Sequence, residues 1–165
     1  MGNSSSIAQL RVGELVATIG AKGLAAGAGA AGAVTLALAA ACAAKAAAIS
    51  IEHQSANDTL RRGLDAFERI GRFALAGADR DAEAFATFIH ENTLGAVVEL
   101  LREGDRLIRL IDILSEVLDK VAPQVEPAMS GDIVAARALM EAARKIQLSN
   151  CAEAEGRKSR LKSSS

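Results

Sequence analysis

From Gly23 to Ala44 the chain carries no charged residue and is built mostly of Ala and Gly. This segment constrains the fold more than any other. Alanine has the highest helix propensity because it loses no side-chain entropy on entering a helix. A strand would call for Val, Ile, Thr and aromatic residues in alternation, and no such run occurs in the chain. The segment predicts a long helix over Ala30–Glu52. Having no polar face, that helix is expected to be buried on all sides, at the centre of a bundle. A membrane span is the rival reading, since the length suffices to cross a bilayer. Against it, Ala and Gly drive insertion far less than Leu, Ile or Phe, and no aromatic belt flanks the segment. The glycines Gly23, Gly27, Gly29 and Gly32 permit close helix packing in either solvent. Small side chains bury little area each, so alanine-lined helices need close partners. A homo-oligomer is therefore expected.

The remaining chain reads as amphipathic helices separated by stop signals. Residues 1–6 are expected to be a flexible N-terminus, with Ser6 able to cap a short helix carrying Ile7, Leu10, Leu15 and Ile19. Ser55, Asn57 and Asp58 end the central helix and start a third, with Leu60, Leu64, Phe67, Ile70 and Ala74 at helical spacing. Gly77 to Asp79 suggests a break, after which Asp81 to Phe85 opens a fourth helix. Thr93 can cap a long helix from Leu94 to about Val121. Pro123 and Pro127 place a loop over 122–131. A last helix is expected from Asp132 to about Glu155, followed by a flexible basic and serine-rich tail over 156–165. Five or six helices in one all-α bundle spanning 7–155 account for the chain.

Several function classes are disfavoured. With a formal net charge of −1 at pH 7 and charges of both signs interspersed, the chain has no basic stripe of the kind that binds nucleic acid. Cys42 and Cys151 form no disulfide framework, and a cytoplasmic setting is expected. The start Met1-Gly2-Asn3-Ser4-Ser5-Ser6 fits a short N-myristoylation pattern, but the bacterial character of the composition argues against its use. No charged n-region precedes a cleavable apolar segment. His53 and His90 lack Cys or His neighbours at ligand spacing, so no metal site is expected. Gly27-Ala-Gly29 follows no strand, which removes a dinucleotide fingerprint.

What remains is polar groups on apolar stripes. Asp81 precedes Phe85 by four residues and Ile89 by eight, which places it on the buried side of its helix. A carboxylate there is partly desolvated and its pKa raised, as suits a general acid or base near neutral pH. The alternative is a capping or first-turn carboxylate on the helix dipole. Asp132 directly precedes an apolar helix and reads first as its cap. Asn150 falls on the apolar stripe seven residues after Ala143, where it serves a ligand or ties two helices together. The backbone N–H groups at the start of the central helix form an anion site by construction.

The order of these features resembles the cyclodeaminase domain of formiminotransferase-cyclodeaminase and the stand-alone methenyltetrahydrofolate cyclohydrolases. That family has a glycine-rich loop before an Ala-rich helix, matched by Ala25-Ala26-Gly27-Ala28-Gly29-Ala30. Its helix ends in a Leu-Thr-Ile-Gly-Lys-like stretch, where this chain has Ile49-Ser50-Ile51-Glu52-His53. An Asp-Ala-Asp/Glu-Ala-Phe motif is present as Asp81-Ala82-Glu83-Ala84-Phe85. An Asn-Pro-x-x-x-Ser-Asp stretch corresponds to Glu126-Pro127-Ala128-Met129-Ser130-Gly131-Asp132, and the family's later Asn to Asn150. The resemblance covers roughly Leu10 to Glu153. It implies an all-helical homodimer without metal or bound cofactor, acting on a tetrahydrofolate derivative as substrate. The implied reaction is ring closure of formimino-tetrahydrofolate with loss of ammonia, or water addition to the methenyl bridge. Asp81 is then the acid/base or cation-stabilising carboxylate, Gly27 and Gly29 line the folate site, and Asp132 and Asn150 support it. The chain lacks the loop's Pro and Ser and the basic residues after the central helix. Those differences leave open a different substrate, or a non-catalytic helical oligomerisation or scaffold module.

Overall fold

The computed structural model describes residues 6–22, 26–54 and 56–163. The myristoylation pattern and most of the expected flexible N-terminus, together with Gly23, Ala25, Ser55 and the last two serines, lie outside the described residues. The described residues form five α-helices: α1 (Val12–Gly20), α2 (Ala28–His53), α3 (Asp58–Glu91), α4 (Leu94–Val121) and α5 (Ser130–Ser163). Short 3-10 turns at Ile7–Gln9, Ala122–Gln124 and Pro127–Met129 complete them. The all-α bundle read from the sequence is the fold observed.

Helices α2 to α5 make the body, with α2 packed chiefly on α3 and α5, and α4 closing against α3 and α5. Its alanines explain its position. Ala39, Ala40, Ala43, Ala46 and Ala47 are fully buried, and only such small side chains let neighbouring helices approach so closely. By length and composition α2 is also long and apolar enough to cross a membrane, but here its buried face is the centre of the bundle core. It is not enclosed on every side. A strip around Leu38, Ala41 and Lys45 faces outward, with Leu38 53% exposed.

Capping follows the sequence signals closely in two places. The Asn57 side chain accepts from the N–H groups of Thr59 and Leu60, and the Thr93 hydroxyl accepts from that of Ala96. Asn92 closes α3 in the left-handed conformation that Asn tolerates. Ser50, fully buried, ties the α4–α5 connection to α2. Its hydroxyl donates to Ala46 O at 2.8 Å and accepts from the Glu126 N–H at 2.8 Å.

Three expectations are corrected. The break at Gly77 does not occur, and α3 runs through it. Gly77 serves packing instead, for a Cβ there would stand 2.8 Å from Leu107 Cδ2. Asp79 does not mark a turn. Its carboxylate accepts from the Ser6 hydroxyl at 2.7 Å and the Ile7 N–H at 2.5 Å, fastening the N-terminal segment to α3. Ser6 thus binds Asp79 rather than capping a helix. The third correction is at the C-terminus, where 156–163 continue α5 as helix rather than fraying. Arg157 pairs with Glu153 and Lys158 with Glu155 one turn back, and the Arg157 guanidinium lies 5.1 Å from the centre of the Phe88 ring. Ala154 and Leu161 join Phe88, Ala96 and Val97 in a second apolar cluster beyond the main core.

Candidate functional site

The helices differ in length, and the site follows from that. Asp81 of α3 lies against Gly29 at the start of α2, yet α3 runs on to Glu91. At 1.5 Å per residue it extends about 15 Å past the end of α2. Helices α4 and α5 accompany it, joined there by the second apolar cluster. A cleft opens where α2 stops and its three neighbours continue. Its volume is ≈ 200 Å³, and Gly27, Gly29, Asp81, Gln147, Asn150 and Cys151 contribute to its lining, with Phe85, Leu100 and Ala154 as apolar wall.

Asp81 sits at its inner end and is 6% exposed. Its position in the middle of α3 removes the capping alternative. Burial pushes its carboxyl up from the ordinary 3.8 to about 6; a hydrogen bond from the Ala30 backbone N–H opposes this, and the Glu103 charge adds to it. Gly29 is glycine for a steric reason. A Cβ there would fall 2.2 Å from Asp81 Oδ1 and 2.3 Å from Oδ2. The missing side chain allows the carboxylate to reach the first turn of α2, where backbone N–H groups lack helical partners.

Gln147 of α5 enters from the other side. It is 1% exposed, and its Nε2 donates to Gly29 O at 2.9 Å. Gly32 makes room for it, as a Cβ there would meet Nε2 at 2.7 Å. Its Oε1 is buried without a hydrogen-bond partner among the described residues. Near Asp81 lies an ion cluster in which a buried Glu103 meets two half-exposed arginines. Glu103, 4% exposed, is paired with Arg80 Nε at 2.8 Å and with Arg106 Nη1. Two guanidinium groups satisfy a carboxylate that would otherwise be costly to bury. The Cys151 thiol is pushed up by burial, then by the charges of Asp105, Asp81 and Glu155.

Of the residues singled out from sequence, the structure brings Asp81, Gly27, Gly29 and Asn150 to one cleft. Asp132 is elsewhere. Helix α5 starts two residues before it, and its carboxylate does not cap but accepts from Lys45 Nζ at 3.0 and 3.2 Å. Measured along α5 it is about 22 Å from Gln147. His53 and His90 are exposed, as expected. Sequence reasoning passed over Gln147, Glu103, Arg80 and Arg106. A signal existed for Gln147, which lies four residues after Ala143 and seven after Met140 on the buried stripe of α5.

Residues 11–100 match the family model described as Formiminotransferase-cyclodeaminase. The chain belongs to this family. The matched stretch holds Gly27, Gly29 and Asp81, while Gln147, Asn150 and Asp132 lie beyond it. The fold is also that of the crystal structure of formiminotetrahydrofolate cyclodeaminase from Thermotoga maritima. The two are 21% identical with a TM-score of 0.84, over 93% of this chain and 85% of that one. No curated protein sequence matches this chain. Family membership relates the chain to folate one-carbon chemistry.

Proposed function

We propose that this protein is a cytoplasmic cyclodeaminase/cyclohydrolase-like enzyme that handles a folate-bound one-carbon unit in the Asp81 cleft. The observation that carries the proposal is the buried Asp81 carboxyl, raised to about 6 and facing the open start of α2. A carboxyl of that pKa exists in both protonation states near neutrality, as general acid–base catalysis requires. In the cyclodeaminase direction, N10 of formimino-tetrahydrofolate adds to the formimino carbon and passes its proton to the formimino nitrogen. The protonated Asp81 then gives its proton to that nitrogen. The carbon–nitrogen bond breaks, ammonia leaves, and the resulting carboxylate stands beside the cationic methenyl bridge. In the cyclohydrolase direction the carboxylate takes a proton from the water that adds to the bridge. It returns that proton to N5 as the bond from the bridge carbon to N5 breaks, and the hydroxyl proton passes to solvent as the N10-formyl carbonyl forms. Gly27 and Gly29 let the ligand approach the backbone, and Asn150 lines the same space.

Turnover of formimino- and methenyl-tetrahydrofolate by wild type and Asp81→Asn tests this. The proposal expects turnover by the wild type and a loss of about 100-fold or more in the variant, the typical worth of a general acid or base. Full activity in a folded Asp81→Asn removes Asp81 from the mechanism. Failure of the wild type to turn over either compound favours the non-catalytic scaffold reading.

The proposal includes a homodimer. The outward strip of α2 supports it, for Leu38 and Ala41 lie exposed there, and a second copy would cover them. Light scattering on Leu38→Glu against wild type tests this. A wild-type dimer converted to monomer supports the interface, and a monomeric wild type refutes it.

A further inference from the structure

We propose that Gln147 is a substrate-contacting specificity residue of this cleft, its Oε1 accepting a hydrogen bond from an N–H group on the one-carbon unit. The orientation of the carboxamide is fixed by its surroundings. Gly29 O is a carbonyl and can only accept, so the amide branch facing it at 2.9 Å must be the nitrogen. The planar amide then directs Oε1 the other way. That oxygen is buried and unpartnered among the described residues, on a side chain that lines the cleft. Buried polar atoms are nearly always hydrogen-bonded, and an exception calls for a reason. A ligand donor in the cleft supplies one.

Asp81 strengthens the argument. Both groups are held by the first turn of α2: Asp81 by the Ala30 N–H and the absent Cβ of Gly29, Gln147 by Gly29 O and the absent Cβ of Gly32. Both side chains line one small space, whose wall also carries Phe85, Leu100, Asn150, Glu153, Ala154 and Arg157. Two acceptor groups held together at the start of α2 suit a donor, above all a cationic one such as a protonated amidine or iminium. They disfavour a group that offers only lone pairs. A formimino group has an N–H where a formyl group has an oxygen, and the remainder of the folate is the same. A site built to hydrogen-bond a substrate N–H rejects the analogue lacking it, because its own polar atom is then left unpaired. The identity of the carrier rests on the folate reading above, whereas the N–H preference rests on the Gln147 carbonyl.

Calorimetric titration of the full chain with formimino- and formyl-tetrahydrofolate tests the inference. The wild type is expected to favour the formimino form by about tenfold or more. The ratio should fall towards one in Gln147→Met, which keeps the length of the side chain and removes its amide. The ratio is read because loss of the bond to Gly29 O affects both ligands alike. If Gln147→Met does not fold, Gly32→Ala moves the carboxamide with its chemistry intact and should lower the same ratio. A wild type that binds the formyl form equally well, or a ratio unchanged in the variants, overturns the Gln147 assignment and leaves the folate reading standing. Binding of neither compound overturns the folate reading. The N–H preference is then decided by thermal shift with formamidinium and its N-tetramethylated analogue, which has the same charge and no donor. Stabilisation by formamidinium alone supports it; stabilisation by both or by neither overturns it.

Discussion

Replacing Asp81 by Asn should make the protein more stable at neutral pH. The unfolded chain holds the Asp81 proton with the ordinary 3.8, and the folded chain holds it at about 6. Between those values the folded state binds more protons than the unfolded state, so stability falls as pH rises through the window. The contribution is complete below 3.8 and is lost by the time pH has passed about 6. The difference amounts to about 3 kcal/mol at pH 7 to 8. Asparagine occupies nearly the same space and keeps an oxygen for the Ala30 N–H, while removing the desolvated charge and its repulsion with Glu103. For a chain of this size 3 kcal/mol corresponds to roughly 6–12 °C in Tm. Thermal melts of wild type and Asp81→Asn at one protein concentration, from pH 3.5 to pH 8, measure it. The expected result is a gap that is small at pH 3.5, opens between pH 4 and pH 6, and stays constant above. A variant equally or less stable at pH 8, or a gap that widens towards low pH, would refute the placement of a costly buried carboxylate in this cleft.

Three further outcomes follow from the same geometry. Gly29→Ala places a methyl group inside the Asp81 carboxylate and should cost about 1–3 kcal/mol in denaturant unfolding. Most of that loss should vanish in the Asp81→Ala background, and an additive double mutant would contradict the contact. Asp132→Ala removes a partly exposed pair with Lys45 and should change stability by no more than about 1 kcal/mol. By calorimetric titration it should leave folate binding to a single chain unchanged, since it lies about 22 Å along α5 from Gln147. Ser50→Ala strands the Glu126 N–H and should destabilise by about 1–3 kcal/mol, with faster hydrogen exchange over the α4–α5 connection.

The features legible in the sequence are those that depend on local spacing. Composition and period gave the helices, and Asn57 and Thr93 could be read as caps because a cap acts within three residues. Asp81 was legible through Phe85, four residues on and lining the same cleft, although Ile89, eight residues on and expected on the same buried side, is 41% exposed. Gly77 misled because a glycine that breaks a helix and one that admits a neighbour look alike in a sequence. The difference lies in Leu107, on another helix. Asp132 misled for a related reason. Its position suggests a cap, but its partner Lys45 is 87 residues away. The Arg80–Glu103 pair likewise joins two helices. Asn150 and Gln147 share a stripe three residues apart, and only the position of α2 shows that Gln147 is the more deeply buried of the two.

The central claim is that Asp81 is a desolvated carboxyl in a ligand-accessible cleft. The most direct measurement is the pH titration of its side-chain carboxyl carbon by 13C NMR, assigned with Asp81→Asn and repeated with a bound tetrahydrofolate derivative. A midpoint near 6 that moves when the folate binds is the result expected. A midpoint near 4, indifferent to the folate, would contradict it.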